Sequence, residues 1–376
     1  MSVLRNIKRV MKKAFLKTQI VFHRTERLEI LTYKSELEKI YPPKKDVTVI
    51  STEKRLQEMA YQVSFIVPVY NTKKELLEHC LDSLLNQRTE YSYQIIIVDD
   101  GSCQETVEHL QQFQKKHPEV ILLQGKNGGA GKARNRGIQA AQGKYLSFVD
   151  ADDYIEPDFI EKMMAYAIQG YDIVKCGYEK HISDRIEHIC QKSKAYDQTD
   201  QAYITTYDGF LWGALYKREL FESVQMPEGY TFEDMAVRFV FYRCVNTYYY
   251  TGEPLYHYID HDGNITNSAS KASLNRLDHI YLLGVILADS EKLGIPFDQI
   301  ETTLLLNEVA FMLWYRVRKL DKEIVQAAFL WTADLVEHYI PADAVQNMSK
   351  KEWQLYQAFL KRDFTLWSLL AQMWSL

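Results

Sequence analysis

Long apolar runs are missing from this chain: none reaches the roughly 18 residues of a membrane-spanning helix, which argues against an integral membrane protein. Cysteine is scarce, with five residues at positions 80, 103, 176, 190 and 244, no CxxC pair and no regular spacing. That excludes a disulfide-stapled scaffold and reads as the ordinary buried thiols of a reduced, cytosolic protein. Positive charge is not in excess, since 45 Lys and Arg face 50 Asp and Glu. A net charge of −5 speaks against a polyanion-coating surface, so no nucleic-acid partner is expected. The basic N-terminus lacks a compact apolar core and a cleavage site, and so does not read as a secretory signal. Internal repeats and low-complexity segments are absent. What remains is globular: 47% hydrophobic and 25% charged residues over 376 positions, enough for one large domain and a smaller one.

Residues 1–27 carry eight Lys and Arg against the single acid Glu26, and apolar residues recur at Leu4, Ile7, Val10, Met11, Phe15, Val21 and Phe22. The spacing predicts a helix with one apolar and one basic face. Such a helix suits docking on an anionic membrane surface or packing on protein. Pro42 and Pro43 end any helix, and a charged stretch runs to residue 62.

From Val63 short apolar runs alternate with helical ones. Strands are expected at 63–70, 93–100, 120–124, 144–150 and 172–176, with helices at 72–87, 104–116, 130–143 and after Pro157. This alternation predicts an α/β fold with a parallel sheet covered on both faces. Residues 181–206 read as a polar excursion, 233–245 as a short helix and 247–259 as an aromatic strand. From about 272 the apolar spacing is helical, broken at Gly294 to Pro296 and at Pro341. The expected domains are an N-terminal extension at 1–61, an α/β domain at 62–265 and a helical C-terminal domain at 266–376.

Ligands of an open parallel sheet bind beyond the carboxyl ends of its strands. Here those ends carry Pro68-Val69-Tyr70-Asn71, Asp99-Asp100-Gly101-Ser102 and Asp150-Ala151-Asp152-Asp153. Asp-rich turns are common, but two at the ends of strands in one sheet suggest a hard divalent cation with phosphate oxygens. Between them, Asn127 to Arg136 joins three glycines to a helix start bearing Lys132, Arg134 and Arg136, a natural phosphate site. It is neither a Walker loop nor a dinucleotide fingerprint. His257 and His261 have i, i+4 spacing but lie in or just after a strand, which argues against a metal pair.

The segments FIVPVYN, IIIVDDGS, NGGAGKARNRG and YLSFVDADD, in this order, resemble the inverting family 2 glycosyltransferases of the GT-A fold, over about residues 62–260. The resemblance implies a nucleoside-diphosphate sugar donor, usually a UDP-sugar, with Mn²⁺ or Mg²⁺. By its pattern Pro68 and Tyr70 border the nucleotide, and Asp99 or Asp100 contacts uracil or ribose. Lys132, Arg134 and Asn135 lie near the nucleotide and diphosphate. Asp150-Ala151-Asp152 matches the DxD motif, with Asp152 as the main metal ligand and Asp150 toward the ribose. Phe232-Glu233-Asp234-Met235 matches the pair that supplies the base, Asp234, with Glu233 shaping the acceptor site. Both acids equally suit the first turn of a helix. Trp212 is a candidate sugar platform, or core.

The resemblance also implies a glycan or lipid-linked acceptor in bacterial surface polysaccharide synthesis, at the inner face of the cell membrane. The processive Gln-x-x-Arg-Trp motif is absent, which favours single addition. A sugar nucleotidyltransferase and a non-catalytic scaffold are the rival readings. The former usually carries its Gly-rich loop after the first strand, and the latter has no need of both acidic motifs. The apolar end from Phe364 to Trp374 requires burial in the C-terminal domain, in a homo-oligomer interface or at a membrane.

Overall fold

A computed structural model describes residues 9, 10, 12, 13, 16, 33–51, 57–261 and 273–374. The amphipathic reading of residues 1–27 falls almost entirely outside them. The chain forms two compact units, one spanning Asp46–Asn264 and the other combining Met1–Lys45 with Ile265–Leu376. Among the described residues no helix is long and apolar enough to cross a membrane.

The first unit is built on one mixed sheet. Strand β1 (Tyr61–Val69) lies between β2 (Tyr93–Asp99) and β4 (Gly143–Phe148), and β3 (Ile121–Gln124) flanks β2; all four run parallel. Helices α1 (Lys74–Leu85), α2 (Gln104–Lys116) and α3 (Ala130–Ala140) connect them. Residues Val63 to Val67 are buried without a break, as a parallel strand covered on both faces requires. Leu77, Leu81 and Leu84 of α1 bury their shared face in the same core as Phe65 and Val67. The chain steps outward from β1 to β3, then returns so that β4 joins the other side of β1. That reversal opens a crevice at the carboxyl ends of β1 and β4.

The second half departs from the expected parallel sheet. After β5 (Tyr154–Ile155) and α4 (Phe159–Ala167) come β6 (Ile173–Ile182), β7 (Arg185–Ile189), β8 (Lys194–Asp197), β9 (Ala214–Lys217) and β10 (Thr247–Ile259). β9 runs antiparallel between β4 and β6, while β6 and β10 are parallel to each other. β5, β7 and β8 pair antiparallel on the periphery. The polar excursion therefore holds two strands. β7 is almost wholly exposed, so it carries no apolar period to read. In place of one helix at 233–245 there is a turn at Glu233 and Asp234 followed by a π-helical stretch, Val237–Phe241.

The helical unit closes around Trp367, which is fully buried, donates from Nε1 to the Val309 carbonyl at 3.0 Å and packs against Phe329, Phe359 and Phe364. The apolar C-terminal segment thus finds burial inside its own unit. Helix Tyr33–Ile40 packs on Lys322–Tyr339, and Tyr41 Oη donates to Asp278 Oδ1 at 2.7 Å. Residues 46–50, by contrast, join the sheet unit, with Ile50 bridging to Val224. Helices stop where the sequence breaks were expected: Asp278–Lys292 ends before Gly294, whose φ is +73°, and Lys322–Tyr339 ends before Pro341.

Candidate active site

The acidic turns meet at the crevice because strand register brings them there. Val69 of β1 stands beside Asp99 of β2, and Ile66 beside Phe148 of β4, so the segments after these strands emerge side by side. Asp99 and Asp100 are both buried. Asp99 Oδ1 accepts from Ser102 N at 3.0 Å, closing the turn. The Asp100 carboxylate accepts from Gly128 N at 2.9 Å and Gly129 N at 2.8 Å, so it braces the glycine loop with both oxygens. Gly101, at φ +76°, leaves no room for a side chain: a Cβ would lie 2.5 Å from Asn127 N. Tyr70 is 55% exposed beyond the end of β1, and Lys132 is exposed on the first turn of α3.

Arg134 and Asn135 do not face solvent. Arg134 is buried, donating from Nη2 to Asp150 Oδ1 at 2.8 Å and from Nη1 to Glu233 Oε1 at 2.5 Å. Burial alone would weaken its hold on the proton. The Asp150 and Glu233 carboxylates outweigh that and raise its pKa, so the cation is permanent. Asn135 uses its side chain on the protein's own loop: it donates to the Met226 carbonyl and Glu228 Oε1, each at 2.9 Å, and accepts from Met226 N at 2.9 Å. Two residues expected near the donor thus hold the acidic pair's loop to α3.

Gly131 completes this junction. A Cβ there would sit 2.2 Å from the Pro227 carbonyl oxygen and 3.7 Å from Glu233 Cβ. Only glycine lets the loop before Glu233 and Asp234 pack this closely on the helix. Phe232, at φ +71°, sets the turn that presents the two acids.

The three acids of Asp150 to Asp153 have separate partners. Asp153 is buried and accepts from Tyr256 Oη at 2.7 Å and from Ile259 N at 2.8 Å, which locks the loop to β10. The same Tyr256 oxygen accepts from Asp150 N at 3.2 Å. Asp152 Oδ2 lies 2.9 Å from His261 Nε2. Burial, then the Asp150 charge, raises the Asp152 pKa, against the opposing pull of His261. Crowded carboxylates beside an imidazole are a donor set suited to a hard or borderline dication, whose charge would relieve this repulsion.

Sequence reading named Asp150, Asp152 and Glu233 as a site, and the fold brings Asp150 and Glu233 to one guanidinium. Asp153 belongs to the same Asp-rich turn, but its structural role does not show in the sequence, and neither do Tyr256 and His261, which act on that site from about a hundred residues away. No local signal marks Tyr256 or His261: the i, i+4 spacing of His257 and His261 suggests a pair, whereas His257 turns to His181 and Glu156 and His261 to Asp152. Of the two readings of Trp212, sugar platform or core, the structure corrects the first and bears out the second. Trp212 is 5% exposed, with its faces stacked on Tyr256 at 4.3 Å and Phe210 at 4.6 Å, so neither face is open to a ring. Tyr248 and Tyr250 are likewise buried among Tyr203 and Tyr207.

The glycosyl transferase family 2 profile matches residues 64–225. The chain is 33% identical over 226 residues to the uncharacterized glycosyltransferase EpsJ of Bacillus subtilis, covering 57% of this chain and 65% of that protein. It is 30% identical over 264 residues to the putative glycosyltransferase EpsH of the same organism, covering 67% of this chain and 76% of EpsH. Among solved structures, S. aureus TarS residues 1–349 in complex with UDP-GlcNAc superposes with a TM-score of 0.62 at 20% identity, over 83% of this chain and 91% of that one. The fold is that of GT-A enzymes.

Proposed function

The chain belongs to glycosyltransferase family 2, and from that premise we propose an inverting transfer of one sugar from a nucleoside-diphosphate donor, a UDP-sugar, to a hydroxyl of a glycan or lipid-linked acceptor in bacterial surface polysaccharide synthesis. The observation that carries this reading is the buried Arg134 bridge between Asp150 and Glu233. It joins the DxD turn, a donor element, to the acidic pair, an acceptor element, across one crevice.

In this reading Tyr70 and Pro68 border the base, and Asp99 stands beside them at the end of β2. Lys132 and the first turn of α3 face the diphosphate. Asp234 takes the proton from the acceptor hydroxyl. The freed oxygen lone pair attacks the anomeric carbon, the bond from that carbon to the diphosphate oxygen breaks in line, and UDP departs with its electrons. Inversion follows from a single displacement. Glu233, held by Arg134, keeps the Asp234 turn in place beside the acceptor. Asp152, with Asp150 and His261, would hold Mn²⁺ or Mg²⁺, which when bound offsets charge on the leaving diphosphate. The TarS complex with UDP-GlcNAc supports the donor class.

The test is a panel of UDP-, GDP- and dTDP-sugars with Mn²⁺, followed by nucleotide release and thermal shift. A matching donor at a hundredfold its dissociation constant should stabilise the protein by about 2.7 kcal/mol. Asp234→Asn should abolish transfer and keep nucleotide affinity. Near-normal turnover in that variant would refute the base assignment, and no response to any donor would favour the scaffold reading.

A further inference from the structure

Beside the Asp-rich turn, a second group of ligand side chains converges that the transfer chemistry does not use. Glu179 and His181 are two residues apart on β6, so they share a face of the strand. β10 runs parallel beside it, and His257 is the register partner of Glu179. We propose that Glu179, His181 and His257 form a binding site for a tetrahedral transition-metal dication of the zinc class, built separately from the Asp150 and Asp152 carboxylates.

The geometry supports it. His181 Nε2 and His257 Nδ1 are 3.0 Å apart. Glu179 Oε2 lies 3.4 Å from His257 Nδ1 and 3.6 Å from His181 Nε2. Ligands about 2.0–2.2 Å from a tetrahedral zinc ion stand about 3.3–3.6 Å from one another. The two distances to Glu179 fall within this range and the imidazole pair is a few tenths of an ångström short of it, so a small opening of that pair gives one face of such a tetrahedron.

Proton positions agree. His257 Nε2 faces Glu156 Oε1 at 2.8 Å, and a carboxylate only accepts, so the ring proton sits on Nε2. Nδ1 is then the acceptor for His181 Nε2–H at 3.0 Å, and a bound ion would take the place of that proton while Glu156 still holds Nε2. This is the carboxylate–imidazole arrangement that orients metal-binding histidines. Glu179 is oriented in the same manner, since His188 Nδ1 takes its other oxygen at 3.0 Å. The Tyr154 ring lies flat on His257 at 4.2 Å and fixes its plane. His257 is 5% exposed, whereas the side chains of Glu179 and His181 are about one-fifth exposed, which leaves the open side of the triangle accessible. An ion here would cross-link β6 to β10, the strand that carries Tyr256.

The experiment uses the full chain, freed of metal by chelation and titrated with Co²⁺. The expected result is the intense visible band of tetrahedral cobalt at one equivalent, displaced by Zn²⁺ and retained in Asp152→Asn. His181→Asn and Glu179→Gln, both at partly exposed positions and checked for folding by circular dichroism, should lose the band. Zn²⁺ should raise the melting temperature of the wild type and leave that of His181→Asn unchanged. Absence of the band in the wild type, its survival in both ligand variants, or its loss in Asp152→Asn would each overturn the proposal.

Discussion

Arg134 donates to Asp150 at 2.8 Å from a position where its guanidinium is almost wholly buried, and its other arm reaches Glu233. A single side chain on α3 therefore sets the spacing between the turn after β4 and the loop that bears Asp234. The fork geometry of guanidinium suits this task, because it can engage two carboxylates at fixed angles, which an ammonium cannot.

Arg134→Met should lower the unfolding free energy by roughly 3 kcal/mol, as expected when one member of a buried ion pair is removed. Transfer should fall by well over tenfold. Arg134→Lys should lie between, since lysine keeps the charge and loses the fork. Denaturant titration and initial rates on the three proteins are the check, and equal stability of Arg134→Met and wild type would show that the bridge contributes nothing.

Gly131→Ala reverses an ordinary rule. In an open helix the change would stabilise by about 1 kcal/mol. Here the added carbon would meet the Pro227 carbonyl at 2.2 Å, so a loss of about 1–3 kcal/mol is expected from overpacking. Because the displaced loop leads to Asp234, kcat should fall more than donor affinity. A thermal melt showing a stabilised variant would contradict this.

Asp100→Ala leaves two loop amides, those of Gly128 and Gly129, without their acceptor. A cost of about 1–3 kcal/mol is expected, with weaker nucleotide binding by calorimetry. Asp100→Asn, which retains one acceptor oxygen, should recover about half of each effect. Unaltered UDP affinity in Asp100→Ala would mean that the glycine loop holds its shape unaided.

The helical unit should be acid-sensitive through His279. Burial, then the neighbouring Arg316 charge, pushes its pKa down to about 4 from the ordinary 6.5, against the pull of Glu308. The folded state thus holds His279 neutral where the unfolded chain binds a proton. Stability from this group is complete above about pH 6.5 and is lost as pH falls toward 4, to a limit on the order of 3 kcal/mol. Melting temperatures of wild type and His279→Gln across that window provide the test: the variant's profile should be flatter.

Local pattern determined much of this protein. Apolar runs bounded by turn residues located β1, β2, β3 and β4, and amphipathic spacing located the helices between them, because both signals arise within a few residues. The Asp-rich turns were legible for the same reason, as strand ends in an alternating fold. β7 and β9 were not, since one is exposed and the other lies antiparallel between β4 and β6, outside the strand–helix alternation; their existence depends on neighbours far along the chain. Tertiary structure alone decided what each polar group does. Arg134 and Asn135 read as donor contacts until burial turned them toward Asp150, Glu233 and the Met226 loop. Trp212 read equally as a sugar platform or as core until its faces were filled by Tyr256 and Phe210. A residue type states which bonds a side chain can make, but burial and the partners within about 3 Å settle which it does make, and that information lies in the fold.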